Sequence, residues 1–264
     1  MRVKEERGAG YFVLLDPDRV DDEAVVEVAA ECRDAGVDAL LVGSSFLLSV
    51  RFDPMIARIK RTVEIPLIIS PGGIGQISRH ADALFFYSLI SGRNPELLIG
   101  QQVKAAPVLR EYGLEAISTG YMLIESGNFT AAEYVSNTRP IPRNKHDIAK
   151  AHALAAEYMG MKMVYLEAGS GARLSVPEEM IRAVADYISL PIIVGGGIRD
   201  PEEARRKIQA GASFVVTGNV LERSMTPGLI RRFADAVHIS DQRSAISSQV
   251  LSSAPHGEWG GAES

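Results

Sequence analysis

The sequence predicts an α/β protein, a single (β/α)8 TIM barrel whose third helix is missing or reduced. Three observations lead there. Short apolar runs rich in β-branched residues alternate with helical patterns along the chain, which is the pattern of a parallel sheet with crossover helices. The length of 264 residues suits one such barrel, which typically takes about 250. Nearly every run ends in glycine, serine, aspartate or another polar residue, as expected of loops at the carboxyl ends of barrel strands.

In chain order, 11–15 (YFVLL) is strand one, ending in Asp16-Pro17-Asp18, and helix one covers about 21–35, closed by Gly36. Strand two is 38–42, terminated by Gly43-Ser44-Ser45, and Asp53-Pro54 opens helix two, which runs to about Arg61. Strand three is 66–70. Strand four, 83–87 (ALFFY), follows after about a dozen residues containing three glycines and a proline, too few for a crossover helix with its loops. Either an apolar groove is bared on that flank, or a loop or partner subunit covers it. Asn94-Pro95 starts helix four, reaching about Tyr112, and strand five spans 114–121. A long insertion precedes helix five, about 145–160, and a loop of that length after a strand suggests a lid. Strand six is 163–166, helix six about 177–188, and the last helix about 222–236.

The stretch 191–219 is the most informative. A β-branched run meets Gly195-Gly196-Gly197-Ile198, and Asp200 and Pro201 then open a helix as N-cap and first helical residue. The helix stops at Gly211, and a second run, 212–217, ends in Gly218-Asn219. The loops after strands seven and eight of such barrels build a phosphate site. There glycine lets backbone N–H groups approach an anion, and the helix N-terminus adds its dipole. Tight strand-to-helix turns are the plainer alternative.

Tyr165 and Glu167 alternate along strand six and so face the barrel interior together, where they suit sugar or glycerol hydroxyls. Asp16, with Ser44 or Ser45 near it, could hold Mg2+, which takes few protein ligands; an N-cap role for Asp16 fits equally. Arg139, Arg143, Lys145 and His146 could form a basic lid over a diphosphate, although a solvated charged loop is the commoner outcome.

The bulk composition narrows the rest. Hydrophobic residues make up 46% of the chain, enough for a full core, and a net charge of -5 without a basic stripe argues against nucleic acid. The lone Cys32 excludes an internal disulfide, and the five histidines lack metal-ligand spacing. No apolar run approaches the ~20 residues of a membrane span, and the start MRVKEERG does not read as a signal peptide, so a cytoplasmic protein is expected. Residues 1–238 form the expected domain. From Ile239 onward the Ser, Gly, Ala and Gln content predicts a flexible tail, Trp259 included.

The motifs LLDPD (14–18), DALLVGSS (38–45), YLEAGSGA (165–172), VGGGIRDPEEA (194–204) and VTGN (216–219) together resemble the geranylgeranylglyceryl phosphate synthases, archaeal enzymes with bacterial heptaprenyl relatives. The resemblance covers about residues 11–235, and 139–162 is similar to the family's second group. It implies Mg2+-assisted transfer of a prenyl group, geranylgeranyl or a longer heptaprenyl, from its diphosphate to the C3 hydroxyl of sn-glycerol 1-phosphate, forming an ether-lipid precursor and pyrophosphate. Carried over by motif, Asp16 and Ser45 correspond to metal-binding positions. Tyr165, Leu166, Glu167, Ala168, Gly169, Ser170, Gly171, Gly196, Gly197, Gly218 and Asn219 correspond to the glycerol-phosphate site, with Glu167 and Tyr165 the catalytic candidates. A missing third helix is a trait of the family, and its groove there holds the prenyl chain. Homo-oligomers are expected from the bared apolar flank. Two other readings stay open: a different phosphate-binding barrel enzyme with a complete third helix, and a non-catalytic barrel that binds a phosphorylated ligand.

Overall fold

The computed structural model describes residues 2–19, 24–218 and 227–238. The expected tail, Trp259 and the site candidate Asn219 lie outside the described residues.

Eight strands form one closed barrel, in sequence order and all parallel, with β8 pairing back onto β1. They are β1 (Gly10–Leu15), β2 (Ala39–Val42), β3 (Leu67–Ile69), β4 (Ala83–Leu89), β5 (Glu115–Leu123), β6 (Met163–Glu167), β7 (Ile192–Gly195) and β8 (Phe214–Thr217). Among the described residues the α-helices are α1 (Arg2–Arg7), α2 (Ala24–Ala35), α3 (Phe52–Thr62), α4 (Gln101–Tyr112), α5 (Ala131–Ser136), α6 (His146–Tyr158), α7 (Glu178–Ala185), α8 (Pro201–Gln209) and α9 (Pro227–Val237).

Alternation along buried strands divides the core in two. Phe12, Leu41, Phe85, Tyr165, Ile193 and Phe214 fill the barrel interior, where Phe12 stacks on Phe214 at 4.9 Å. Their neighbours, such as Val13, Leu40, Leu84 and Leu166, point outward into a larger layer shared with the helices. Strands buried on both faces read as continuous apolar runs, and for that reason they stood out in the sequence.

No helix joins β3 to β4. Residues 70–82 run as a loop fastened at several points. The Gln76 side chain clasps the end of β2, accepting from Ser44 N at 3.0 Å and donating to Ser44 O at 2.7 Å. Gln101 Oε1 accepts from Ile74 N at 3.1 Å, and Asp82 accepts from Leu67 N at 2.7 Å.

Three features differ from expectation. The charged N-terminal segment forms the short helix α1. The insertion after β5 contains α5, capped by Thr130, whose hydroxyl accepts from Glu133 N and meets Glu133 Oε1 at 3.1 Å. Thr130-Ala-Ala-Glu133 has the sequence pattern of a capping box, with the Glu133 carboxylate meeting the Thr130 hydroxyl. Helix four begins with a π-helical turn, Glu96–Gly100, before α4; the side chains of Ser88 and Gln102 donate to the Leu98 and Leu97 carbonyls there, both at 2.9 Å.

Candidate active site

Glu167 ends β6 with its side chain over the barrel mouth. It is 7% exposed, accepts from Gly169 N at 2.6 Å and shares a hydrogen bond with the Tyr165 hydroxyl. Burial pushes its pKa up; the two hydrogen bonds oppose that rise without cancelling it. Beneath it three phenols converge. Tyr121 packs edge-on against Tyr87 and Tyr165 at 4.8 and 5.3 Å, and Tyr87 meets Ser70 Oγ at 2.9 Å. Burial raises the pKa of all three, so each stays a neutral hydroxyl.

Gly196 and Gly197 turn the chain sharply beside this carboxylate, with φ of +81° and +73°. A Cβ on Gly196 would lie 2.4 Å from Glu167 Oε1, so only glycine lets the backbone come this close. Asp200 caps α8 directly after this loop, accepting from Glu203 N at 2.7 Å, and Pro201 follows it.

Across the mouth, half-buried Asp16 follows β1. Its Oδ1 accepts from Asp18 N at 3.0 Å; its Oδ2 lies 3.3 Å from Arg19 Nε and 3.5 Å from Ser44 Oγ. Asp18 is committed to the next loop, accepting from Leu48 N and Ser49 N.

A cavity of about 690 Å³ joins these parts. At the mouth it is lined by Asp16, Ser45, Glu167, Ser170, Gly196 and Gly218. It continues down the flank without a helix, past Ile77, Leu84, Phe86, Leu97 and Ala105. Of the two alternatives left by the short β3–β4 connection, this chain has the apolar groove, and it is continuous with the polar mouth.

The PcrB family model matches residues 1–237. The geranylgeranylglyceryl phosphate synthase of Chitinophaga pinensis is 49% identical over 228 residues, 86% of this chain and 90% of that protein. The synthase of the same name from Pyrococcus horikoshii is 42% identical over 235 residues, 89% of this chain and 92% of that one. Among solved structures, the (S)-3-O-geranylgeranylglyceryl phosphate synthase of Thermoplasma acidophilum, in complex with its substrate sn-glycerol-1-phosphate, superposes with a TM-score of 0.84 at 36% identity, covering 89% of this chain and 95% of that one. The chain belongs to the PcrB family.

In this PcrB-family chain the structure gathers most of the predicted residues, though not all in the same manner. Tyr165, Glu167, Ser170, Gly171, Gly196, Gly197, Gly218, Asp16 and Ser45 line the one cavity. Leu166 and Ala168 point the other way, into the outer core, as strand alternation requires, so their side chains are packing rather than contact residues. Gly169 lies outside the lining and serves through its N–H to Glu167. Ser44 Oγ lies beside the Asp16 carboxylate, and Ser45 lines the cavity next to it.

The basic lid does not form over the cavity. Arg139 and Lys145 are exposed and outside the lining, as is half-buried His146. Arg143 instead donates through Nη1 to the carbonyls of Glu125 and Ser175 at 3.0 and 2.7 Å. The cations that do line the cavity, Arg19 and Arg199, were not anticipated, nor was the tyrosine cluster. Alternation along 83–89 places Phe85 and Tyr87 inward, which was a usable signal.

The donor set at Asp16 fits a hard dication. One carboxylate beside the Ser44 hydroxyl is an all-oxygen donor set that could hold Mg2+, which takes few protein ligands. No group of three or more His, Cys, Asp or Glu side chains forms a self-sufficient metal cage among the described residues.

Proposed function

We propose that this chain is a prenyltransferase that joins the C3 hydroxyl of sn-glycerol 1-phosphate to a prenyl group, geranylgeranyl in the first instance, with release of pyrophosphate. The observation that carries this reading is the single cavity, which joins a glycine-lined seat and a buried carboxylate to an apolar trench where a crossover helix is absent. The bound sn-glycerol-1-phosphate of the Thermoplasma acidophilum relative supports the acceptor, and the names of the curated relatives support the reaction.

In this reading the N–H groups of the Gly196–Gly197 turn hold the acceptor phosphate, with Ser170 and Gly171 closing over it from the β6 loop. Asn219 would complete that seat, as its motif implies. Glu167 orients the C3 hydroxyl and accepts its proton as the new C–O bond forms; the bond from the prenyl carbon to the diphosphate breaks, and the electron pair leaves with pyrophosphate. The neutral rings of Tyr87, Tyr121 and Tyr165 present electron-rich surfaces to positive charge developing on the prenyl carbon. Mg2+, held at Asp16 with Ser44 and Ser45 alongside, would supply neutralisation of the diphosphate charge. The trench holds the prenyl tail.

Homo-oligomerisation and a cytoplasmic location belong to the same reading. Ile99 and Val103 near the start of α4 are 59% and 64% exposed, which favours burial between copies, and Cys32 is a free buried thiol. Light scattering on the purified protein tests the first.

The deciding experiment supplies radiolabelled glycerol 1-phosphate, as each enantiomer, with prenyl diphosphates of several lengths and Mg2+. Label moving into organic solvent only with the sn-1 enantiomer, and only with divalent cation, is the expected result. Label that stays in water with every donor would sink the assignment.

A further inference from the structure

The two loops that seat the acceptor phosphate are joined behind the cavity by one carboxylate. Glu203, on α8 and outside the cavity lining, uses its two oxygens for two different loops. Oε1 accepts from the hydroxyl of Ser175, in the β6–α7 loop that carries Ser170 and Gly171. Oε2 accepts from Arg199 N at 2.9 Å, in the β7–α8 loop that carries Gly196 and Gly197. Glu203 occupies the third position of α8, from which a glutamate ordinarily reaches back to the N-cap N–H to complete a capping box. Here it bypasses the Asp200 N–H and ties the loops instead.

The surroundings support that arrangement. Lys207, one turn further on and 2% exposed, has its ammonium 3.8 Å from Glu203 Oε1 and 2.7 Å from Glu178 Oε1, and it donates to the Val176 carbonyl at 2.8 Å. A buried ammonium is tolerated only with such partners, and here they are Glu203 itself, the end of the β6–α7 loop at Val176 and the first residue of α7, Glu178. From the other side Arg143 holds the Ser175 carbonyl at 2.7 Å. The loops also touch: a Cβ on Gly197 would come within 2.9 Å of Ser175 N, so movement of one displaces the other.

We infer that Glu203, with Lys207 behind it, is a positioning residue that fixes the spacing of the two phosphate-seating loops and so sets affinity for the acceptor. This rests on the function proposed above. Charge-assisted hydrogen bonds have the stiffness for this role, and a small misplacement of binding groups has a large effect on affinity.

The test uses the full chain. In Glu203→Ala the KM for glycerol 1-phosphate should rise about tenfold or more, as expected for loss of hydrogen bonds to a charged group. The KM for the prenyl diphosphate and kcat should stay within about twofold of wild type, the pattern of a lost uniform-binding contact. Glu203→Gln should restore the acceptor KM, because an amide can accept from Arg199 N and donate to Ser175. Ser175→Ala, which leaves the α8 cap intact, should show a smaller rise and serves if the alanine variant at 203 fails to fold. Unchanged acceptor KM in both variants, or an equal loss for both substrates, would overturn the inference. Calorimetric binding of glycerol 1-phosphate to the wild type separates the two readings: no binding removes the proposed function. Amide hydrogen exchange at Leu174, Ser175 and Arg199 then decides the strap. Faster exchange in Glu203→Ala than in wild type supports it, and equal exchange overturns it.

Discussion

At Glu167 the environment decides the protonation state on which the proposed proton transfer depends. Desolvation raises the carboxyl pKa, so the group takes up its proton at a higher pH than an exposed glutamate would. A base must be ionised to work. Turnover should therefore fall as pH drops through that raised value, and the acid limb of the kcat/KM profile should lie above the ordinary glutamate range. Glu167→Gln should cost about 10²-fold or more in kcat, the usual span for a positioned acid–base group, and should remove that limb. An acid limb that survives in the glutamine variant would take the proton-accepting role away from Glu167. Asp16 allows a cleaner test, because it is half-buried and asparagine retains Oδ1 for the Asp18 N–H. Asp16→Asn should leave the melting temperature nearly unaltered and reduce kcat by about 10²-fold or more, since metal charge stabilisation amounts to several kcal/mol. Turnover close to wild type would remove the metal role. Both residues were legible in the sequence because a strand end announces them. Tyr121 was legible as a strand end at the mouth but had no role there, and Arg199 had none either, because their meaning depends on neighbours brought in from other strands.

At the scale of elements, legibility followed the strength of local rules. Strands buried on both faces are continuous apolar runs bounded by glycine or polar residues, and all eight appeared within a residue or two of their observed limits. The α8 start, with Asp200 as cap and Pro201 behind it, was read from its residue types. The π-helical turn at Glu96–Gly100 has no comparable signature, because tertiary partners such as Ser88 and Gln102 hold its carbonyls. The insertion after β5 read as a loop, since α5 has six residues and its capping-box pattern was the one local mark of a helix. The α8 cap also yields a stability prediction. Asp200→Ala should destabilise the protein by about 1 kcal/mol, the usual effect of losing an N-cap, as measured by urea unfolding. A drop several times larger would mean that the cap also supports the turn of Gly196 and Gly197 ahead of it.

At the scale of the whole molecule, one omission shapes the cavity. The chain passes from β3 to β4 without a crossover helix, and the loop 70–82 is tied down by Gln76, Gln101 and Asp82 instead of by a packed helical face. The outer side of β3 and β4, which a helix would cover in a complete barrel, becomes one wall of a trench whose other wall is α4. The spacing between the strands was enough to foresee the missing helix; whether the gap would be open or covered depended on how the loop folds. The polar mouth and the apolar trench are thus built from different elements and should respond separately to mutation. Ala105, on α4, lines the trench and is 9% exposed, so Ala105→Phe would place a ring in the space assigned to the prenyl tail. Overpacking of this kind typically costs about 1–3 kcal/mol of stability, which a folded barrel can absorb. The variant should lose activity with long prenyl diphosphates and retain it with short ones, while the KM for glycerol 1-phosphate stays at its wild-type value. A uniform loss across donors of every length, measured at saturating acceptor in protein shown to be folded by circular dichroism, would mean that the tail takes another path out of the mouth.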